Sequence, residues 1–258
     1  MNEALFLHGA GAWGGQWAIW QRVFEAEGWR TSAPDRQPPA AGLAAARFED
    51  HVAQSVEAFD GLARHPENDA GIGDAVGVAT PAPVLIGASL GGLLALAVAA
   101  RRAFGAPGAA PRALVLVNPL PPAPWAAELP PLAIEGDVVP WHSQARYAST
   151  MRSLLTASFT DRQHAFRHWR DESAALLREV YAGVHLPAPS MPVLVIASEG
   201  DMDIPPDRST AFAQGIGASL VRVPGGHVDP VMGASAADSA RSALQWIAAA
   251  APTRLAGP

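Results

Sequence analysis

Three groups far apart in the chain could work as one nucleophilic device: Ser89, an acid from the run Glu199-Gly200-Asp201-Met202-Asp203, and His227. A serine hydroxyl is a poor nucleophile at neutral pH. An imidazole must accept its proton, and a carboxylate must hold that imidazole in the right tautomer and stabilise its cationic form. The chemistry would be acyl transfer through a covalent intermediate on the serine. Two backbone N–H groups could stabilise the oxyanion, one from Leu90, directly after the serine, and one from Ala10, in a glycine-rich loop near the start. Loss of one such donor costs about 3 kcal/mol of transition-state stabilisation.

Each group follows a run that reads as a buried strand. Val84-Leu85-Ile86 meets Gly87, then Ser89, then Gly91 and Gly92, and an alanine- and leucine-rich stretch takes over. Strand, sharp turn and helix in that order make Gly-x-Ser-x-Gly a nucleophile elbow, with the hydroxyl exposed at a helix N-terminus. A side chain at either flanking glycine would collide with the adjoining strand or helix. The plainer reading is a glycine-rich turn whose Ser89 caps a helix from Leu90 to Arg101.

The other elements follow the same logic. Ala4-Leu5-Phe6-Leu7 runs into His8-Gly9-Ala10-Gly11, and a helical stretch from Gln16 to Glu27 comes next. Trp29 to Pro34 is a second strand. Val52, Val56 and Phe59 mark one face of a helix from Phe48 to Leu62, which leaves His51 at its surface. The stretch His65 to Pro83 reads as a long loop. Ala113 to Val117 is a buried strand ending at Asn118, Pro192 to Ala197 runs into the acidic segment, and Ser219 to Val223 runs into Gly225-Gly226-His227. Acids at the carboxyl end of a parallel strand face the crevice where such sheets bind ligands. A helix from Ala236 to Ala250 closes the domain.

Between two of these strands the composition changes. Residues 119–190 open on Pro119, Pro121, Pro122 and Pro124 and continue into polar, Trp- and His-bearing stretches, with helices expected over Ser143–Ala157 and Asp161–Tyr181. This is a helical cap inserted into a core formed by 1–118 and 191–258. Gly11, Trp13, Trp125, Trp141, Tyr147, Met151 and Trp169 are the candidate pocket residues; the competing use of each aromatic is the packing of a small core. His164 and His168 stand one helical turn apart, with His142 and His185 elsewhere, but no acid stands in ligand register with them and no metal is expected.

Composition narrows the classes. With 258 residues, 49% hydrophobic and 16% charged, the chain is long enough for one α/β domain and is not a disordered one. A net charge of −6 with scattered basic residues argues against nucleic acid. The absence of cysteine excludes disulfides, thiolate catalysis and Cys-ligated metals. The first residues show neither a basic nor a long apolar region of a secretory signal, so a cytoplasmic protein is expected. The apolar run Leu93–Ala100 is too short to span a bilayer, so no membrane partner is expected.

Taken together, His8-Gly9-Ala10-Gly11, Gly87-Ala88-Ser89-Leu90-Gly91, the acidic loop ending at Pro205 and Gly225-Gly226-His227 resemble an α/β-hydrolase-fold serine hydrolase over essentially the whole chain. The resemblance implies a mostly parallel twisted sheet flanked by helices, with the cap inserted after the strand ending near Asn118. It assigns the catalytic acid to Asp201, four residues before Pro205, with Glu199 and Asp203 as competitors. Some members carry the acid after the preceding strand, where this chain has Asn118. Asp229 lies too close to His227 to orient it, and His8 is implied to be structural.

The start without a preceding hairpin is similar to the compact plant methyl-esterase and hydroxynitrile-lyase branch. The lyases carry threonine at the position of Gly9 and lysine at that of Val228, so esterase chemistry is implied. Serine at position 89 also argues against the carboxylate-nucleophile dehalogenases and epoxide hydrolases. The expected substrate is a small ester or lactone with an apolar or aromatic part, with no cofactor. The alternatives are amide hydrolysis or perhydrolysis on the same residues, a hydrolase-like ligand-binding protein with negligible turnover, and nucleotide binding at Gly9, Gly11, Gly14 and Asp35.

Overall fold

A computed structural model describes residues 1–63, 81–104 and 109–251. Most of the expected loop from His65 to Pro83 lies outside the described residues. In chain order the elements are β1 (Glu3–Leu7), α1 (Ala18–Ala26), β2 (Arg30–Ser32), α2 (Phe48–Ala63), β3 (Val84–Ala88), α3 (Leu90–Phe104) and β4 (Leu114–Val117). The inserted segment contributes β5 (Val138–Val139), α4 (Tyr147–Ser153), α5 (Phe159–His168), β6 (Glu172–Ser173) and α6 (Ala174–Gly183). The chain then returns through β7 (Val193–Ser198), α7 (Pro206–Gly215), β8 (Ser219–Val223), α8 (Asp229–Met232) and α9 (Ala236–Ala250).

Six strands form a sheet in the order β2-β1-β3-β4-β7-β8, and every neighbouring pair is parallel. Side chains alternate between its faces because successive Cβ atoms in a strand point oppositely. Leu5, Leu7, Leu85, Leu114, Leu116, Val193 and Val195 pack with α2, α3, α6 and α7 on one side. Ala4, Phe6, Ile86, Val115, Val117, Leu194 and Ile196 pack with α1 and α9 on the other, where Trp17, Trp20 and Phe24 surround Phe6. The central strands are buried on both faces, which is why they read as unbroken apolar runs. Parallel pairing brings the carboxyl ends of β1, β3, β4, β7 and β8 to one edge.

The structure corrects three local expectations. The helix expected over Asp161–Tyr181 is two helices, α5 and α6. Between them Glu172 and Ser173 pair antiparallel with Val139 and Val138, and Ser173 Oγ accepts the N–H of Leu176 to start α6. His51 is buried, with only 3% of its surface exposed. The inserted segment lies over the side of α2 where His51 sits: Phe48 N–H donates to Glu179 Oε2 at 3.0 Å and Ser173 Oγ to the Ala46 carbonyl at 2.9 Å. The second strand covers only Arg30–Ser32, at the sheet edge. Among the described residues no helix is long and apolar enough to cross a membrane.

Candidate active site

Ser89 occupies the turn between β3 and α3 with φ at +53°, in the left-handed region. Such a conformation costs a non-glycine residue about 1–3 kcal/mol and persists only where the surroundings over-determine it. Here they do. The Ser89 N–H donates to the Val117 carbonyl at 3.0 Å, and its own carbonyl accepts from Gly92 N at 2.9 Å and Leu120 N at 3.0 Å. The flanking glycines have no room for a side chain: a Cβ at Gly91 would run into the Leu7 carbonyl of β1, and one at Gly87 into the Gly91 carbonyl of α3. The first loop closes on the serine from the other side, since a Cβ on Gly9 would lie 3.2 Å from Ser89 Cβ. Among the described residues the N–H groups of Ala10 and Leu90 donate to no protein acceptor. That of Leu90 is unpaired because the first N–H groups of a helix have no carbonyl behind them.

Asp201 and His227 come from the ends of the neighbouring strands β7 and β8. Their Oδ2 and Nδ1 atoms are 2.7 Å apart, and the Asp201 side chain is fully buried. The other carboxylate oxygen accepts the N–H groups of Asp203 at 2.9 Å and Ile204 at 3.0 Å, which fixes the plane of the group. Burial alone would lower the His227 pKa, but the charge and hydrogen bond of Asp201, with a contribution from Asp203, raise it to about 9. No hydrogen bond joins Ser89 Oγ to His227 among the described residues.

Asp229 is placed away from the imidazole. Buried, it accepts from Gly226 N at 2.6 Å, Leu155 N at 2.7 Å and Thr156 Oγ1 at 2.7 Å, pinning the histidine loop to the segment after α4. Among the described residues Asp201, Asp203 and His227 also form a group whose ligand atoms lie within 4.8 Å of one another. The facing atoms of Asp201 and His227, Oδ2 and Nδ1, are spent on each other.

A buried polar cluster behind the first loop was not visible in the sequence. Arg36 donates to the carbonyls of His8 and Gly9, the latter at 2.9 Å, and its backbone N–H donates to His8 Nε2 at 3.2 Å. With Nε2 an acceptor, Nδ1 carries the proton and donates to the Gly9 carbonyl at 2.9 Å. Burial, reinforced by the Arg36 charge, holds the His8 pKa well below the usual value, and the same causes push His51 down to about 4. Burial lowers Arg36 itself to about 10 against the opposing charge of Glu172. Arg36 and Glu172 carry no motif; a buried charge declares itself only through its partner.

The candidate pocket residues do not form one wall. Trp141 lies against Gly11, where a Cβ would strike its ring. Trp13 meets Trp169 edge-on at 5.7 Å and stacks on His168 at 5.2 Å. Tyr147 is edge-on to Phe166 at 5.4 Å, and Met151 is exposed. Trp125 is set apart, packed on Phe212 and Gly215 of α7. His168 Nδ1 is engaged by the His164 carbonyl at 2.7 Å. A cavity of about 620 Å³ lies between α2, α3 and α6, and one of about 230 Å³ lies against His8 and Arg36; the candidate pocket residues line neither.

Residues 4–241 match the profile described as the Alpha/beta hydrolase family. No curated protein matches at the level of sequence. Solved structures that resemble this one include an extracellular alpha/beta-hydrolase from a Paenibacillus species, 16% identical, covering 97% of this chain and 99% of that one with a TM-score of 0.64. Polyneuridine aldehyde esterase is 13% identical, with 95% and 99% covered and a TM-score of 0.67. A thermophilic esterase from Thermogutta terrifontis is 19% identical, with 97% and 91% covered and a TM-score of 0.66. At these identities the likeness is one of fold.

Proposed function

This chain belongs to the alpha/beta hydrolase family, and on that premise we propose that it is a serine hydrolase cleaving a carboxylic ester or lactone of a small apolar or aromatic substrate. Ser89 Oγ attacks the carbonyl carbon while His227 Nε2 takes its proton. Asp201 holds Nδ1–H and stabilises the imidazolium. The N–H groups of Ala10 and Leu90 receive the oxyanion. Collapse of the tetrahedral intermediate expels the alkoxide, which His227 protonates, and leaves an acyl group on Ser89. A water activated by the same imidazole then releases the acid and restores the serine. In this reading residues 119–190 are the cap over the site.

The observation that carries the proposal is the 2.7 Å bond between the buried Asp201 and His227, set at the same sheet edge as the left-handed turn that presents Ser89. The esterases that share the fold support the class of reaction. The test is release of p-nitrophenol from short and medium acyl esters, together with labelling by a fluorophosphonate, in wild type and Ser89→Ala. Hydrolysis and labelling that both vanish in the variant are expected. A folded wild type that neither hydrolyses nor takes the label overturns the proposal.

A further inference from the structure

We propose that Glu172 and Arg36 are positioning residues for the oxyanion donor at Ala10, so that the segment inserted after β4 completes the catalytic centre; this rests on the reading of Ser89 as an acyl-transfer nucleophile. Ala10 lies between two glycines, and Gly11 is at φ +62°. Nothing in the covalent chemistry of such a loop stops its peptide planes from rotating. The order comes from outside. On one side Arg36 takes the carbonyls of His8 and Gly9, the latter at 2.9 Å. On the other, Glu172 Oε2 accepts the Gly11 N–H at 3.1 Å, and the Arg170 N–H donates to the Gly11 carbonyl at 2.7 Å.

The peptide groups flanking Ala10 are thereby tied off, and the Ala10 N–H is left without a protein acceptor among the described residues. Arg36 and Glu172 also hold each other, 3.7 Å apart with 7% of each side chain exposed. Glu172 is in turn fixed by the Ser173 N–H at 3.0 Å and by the pairing of β5 with β6. A buried ion pair is seldom worth its desolvation as a source of stability. This one spends its hydrogen bonds on the backbone of the loop beside Ser89, which is where a positional error is most costly to the reaction.

The test compares Glu172→Ala, Glu172→Gln and Arg36→Lys on p-nitrophenyl acetate, with inhibition by a trifluoromethyl ketone, which forms a tetrahedral oxyanion on the serine. Glu172→Ala is expected to lower kcat about ten- to a hundredfold with KM nearly unchanged, and to weaken the ketone by a similar factor, as a loosened donor should. Glu172→Gln keeps an oxygen for the Gly11 N–H and is expected to retain kcat to within about threefold. Arg36→Lys keeps the charge but cannot fork onto two carbonyls, and about a tenfold loss of kcat is expected; it carries the test if Glu172→Ala does not fold.

If an active wild type is matched in kcat and ketone affinity by the folded variants, the proposal falls and the role of Ser89 stands. A loss of rate that only tracks the unfolded fraction, with ketone affinity unchanged, also overturns it. A folded wild type with neither hydrolysis nor fluorophosphonate labelling removes the reading beneath it, and the proposal with it.

Discussion

Asn118 Nδ2 donates to the backbone carbonyl of His227 at 2.8 Å, so the residue directly after β4 holds the loop that follows β8 across the intervening β7. The same side chain donates to Ser198 Oγ at 2.8 Å and accepts the Ser198 N–H at 2.7 Å. Asn118→Leu strips these buried groups of their partner and is expected to destabilise the protein by about 3 kcal/mol. A fall in the urea midpoint and about a tenfold loss of kcat, from a displaced His227, would be read together; an unchanged midpoint would show that Asn118 is not the tie described.

The closeness of backbone at the elbow makes a sharper contrast between two glycines. Gly91→Ala places a methyl group against the Leu7 carbonyl, where only backbone surrounds it, and should cost several kcal/mol or abolish soluble expression. Gly61→Ala, within α2 and with open space around it, should instead stabilise by about 0.5–1 kcal/mol. Thermal melts of the two variants check both signs.

In the proposed mechanism His227 serves as base only when neutral, so its pKa, raised to about 9 by Asp201 and then Asp203 against the lowering effect of burial, predicts that kcat/KM rises with pH through the alkaline range. Asp203→Asn removes one of the raising charges, and the rise should move to lower pH. The stability counterpart has a definite sign. The folded pKa lies above the ordinary 6.5, so this stabilisation is complete below about 6.5 and is lost as pH climbs through about 9. A pH–rate profile of the variant that coincides with wild type would remove Asp203 from the account.

Acid should act through the buried histidines. His51, held down to about 4 mainly by burial and then by Arg36, stays neutral in the fold while the unfolded chain binds a proton below about 6.5. Stability is therefore expected to fall by about 3 kcal/mol between pH 6.5 and 4 on its account. His51→Leu should flatten that part of the Tm–pH curve. Equal slopes in wild type and variant would place the acid sensitivity elsewhere, with His8 the next group to test, since burial and Arg36 depress it as well.

Much of the frame was legible because its constraints are local. Val84 to Gly92 spells a buried strand, a turn and a helix in consecutive residues, and β3, Ser89 and α3 follow it. The break at Trp169–Ser173 was not legible, since Glu172 and Ser173 leave the helix to pair with Val139 and Val138, more than thirty residues earlier in the chain. His51 shows the same limit from another side. Its position on α2 matched an exposed helical face, and it is buried because the fold brings other parts of the chain, Arg36 and Glu172 among them, up to that side of the helix.

The parallel α/β frame and the types of group at its strand ends were legible before folding, because apolar runs and glycine turns are properties of consecutive residues and the order of serine, acid and histidine is a property of the chain. Folding alone set the tie of Asn118 to the loops of Ser198 and His227 and the closing of Arg36 and Glu172 on the loop beside Ser89, while the pairing of His227 with Asp201 is the one that the spacing to Pro205 pointed to. Those outcomes depend on pairings between residues tens to more than a hundred positions apart. A charge or an amide has no partner until folding brings one within hydrogen-bonding distance, and no local pattern records which one it will be.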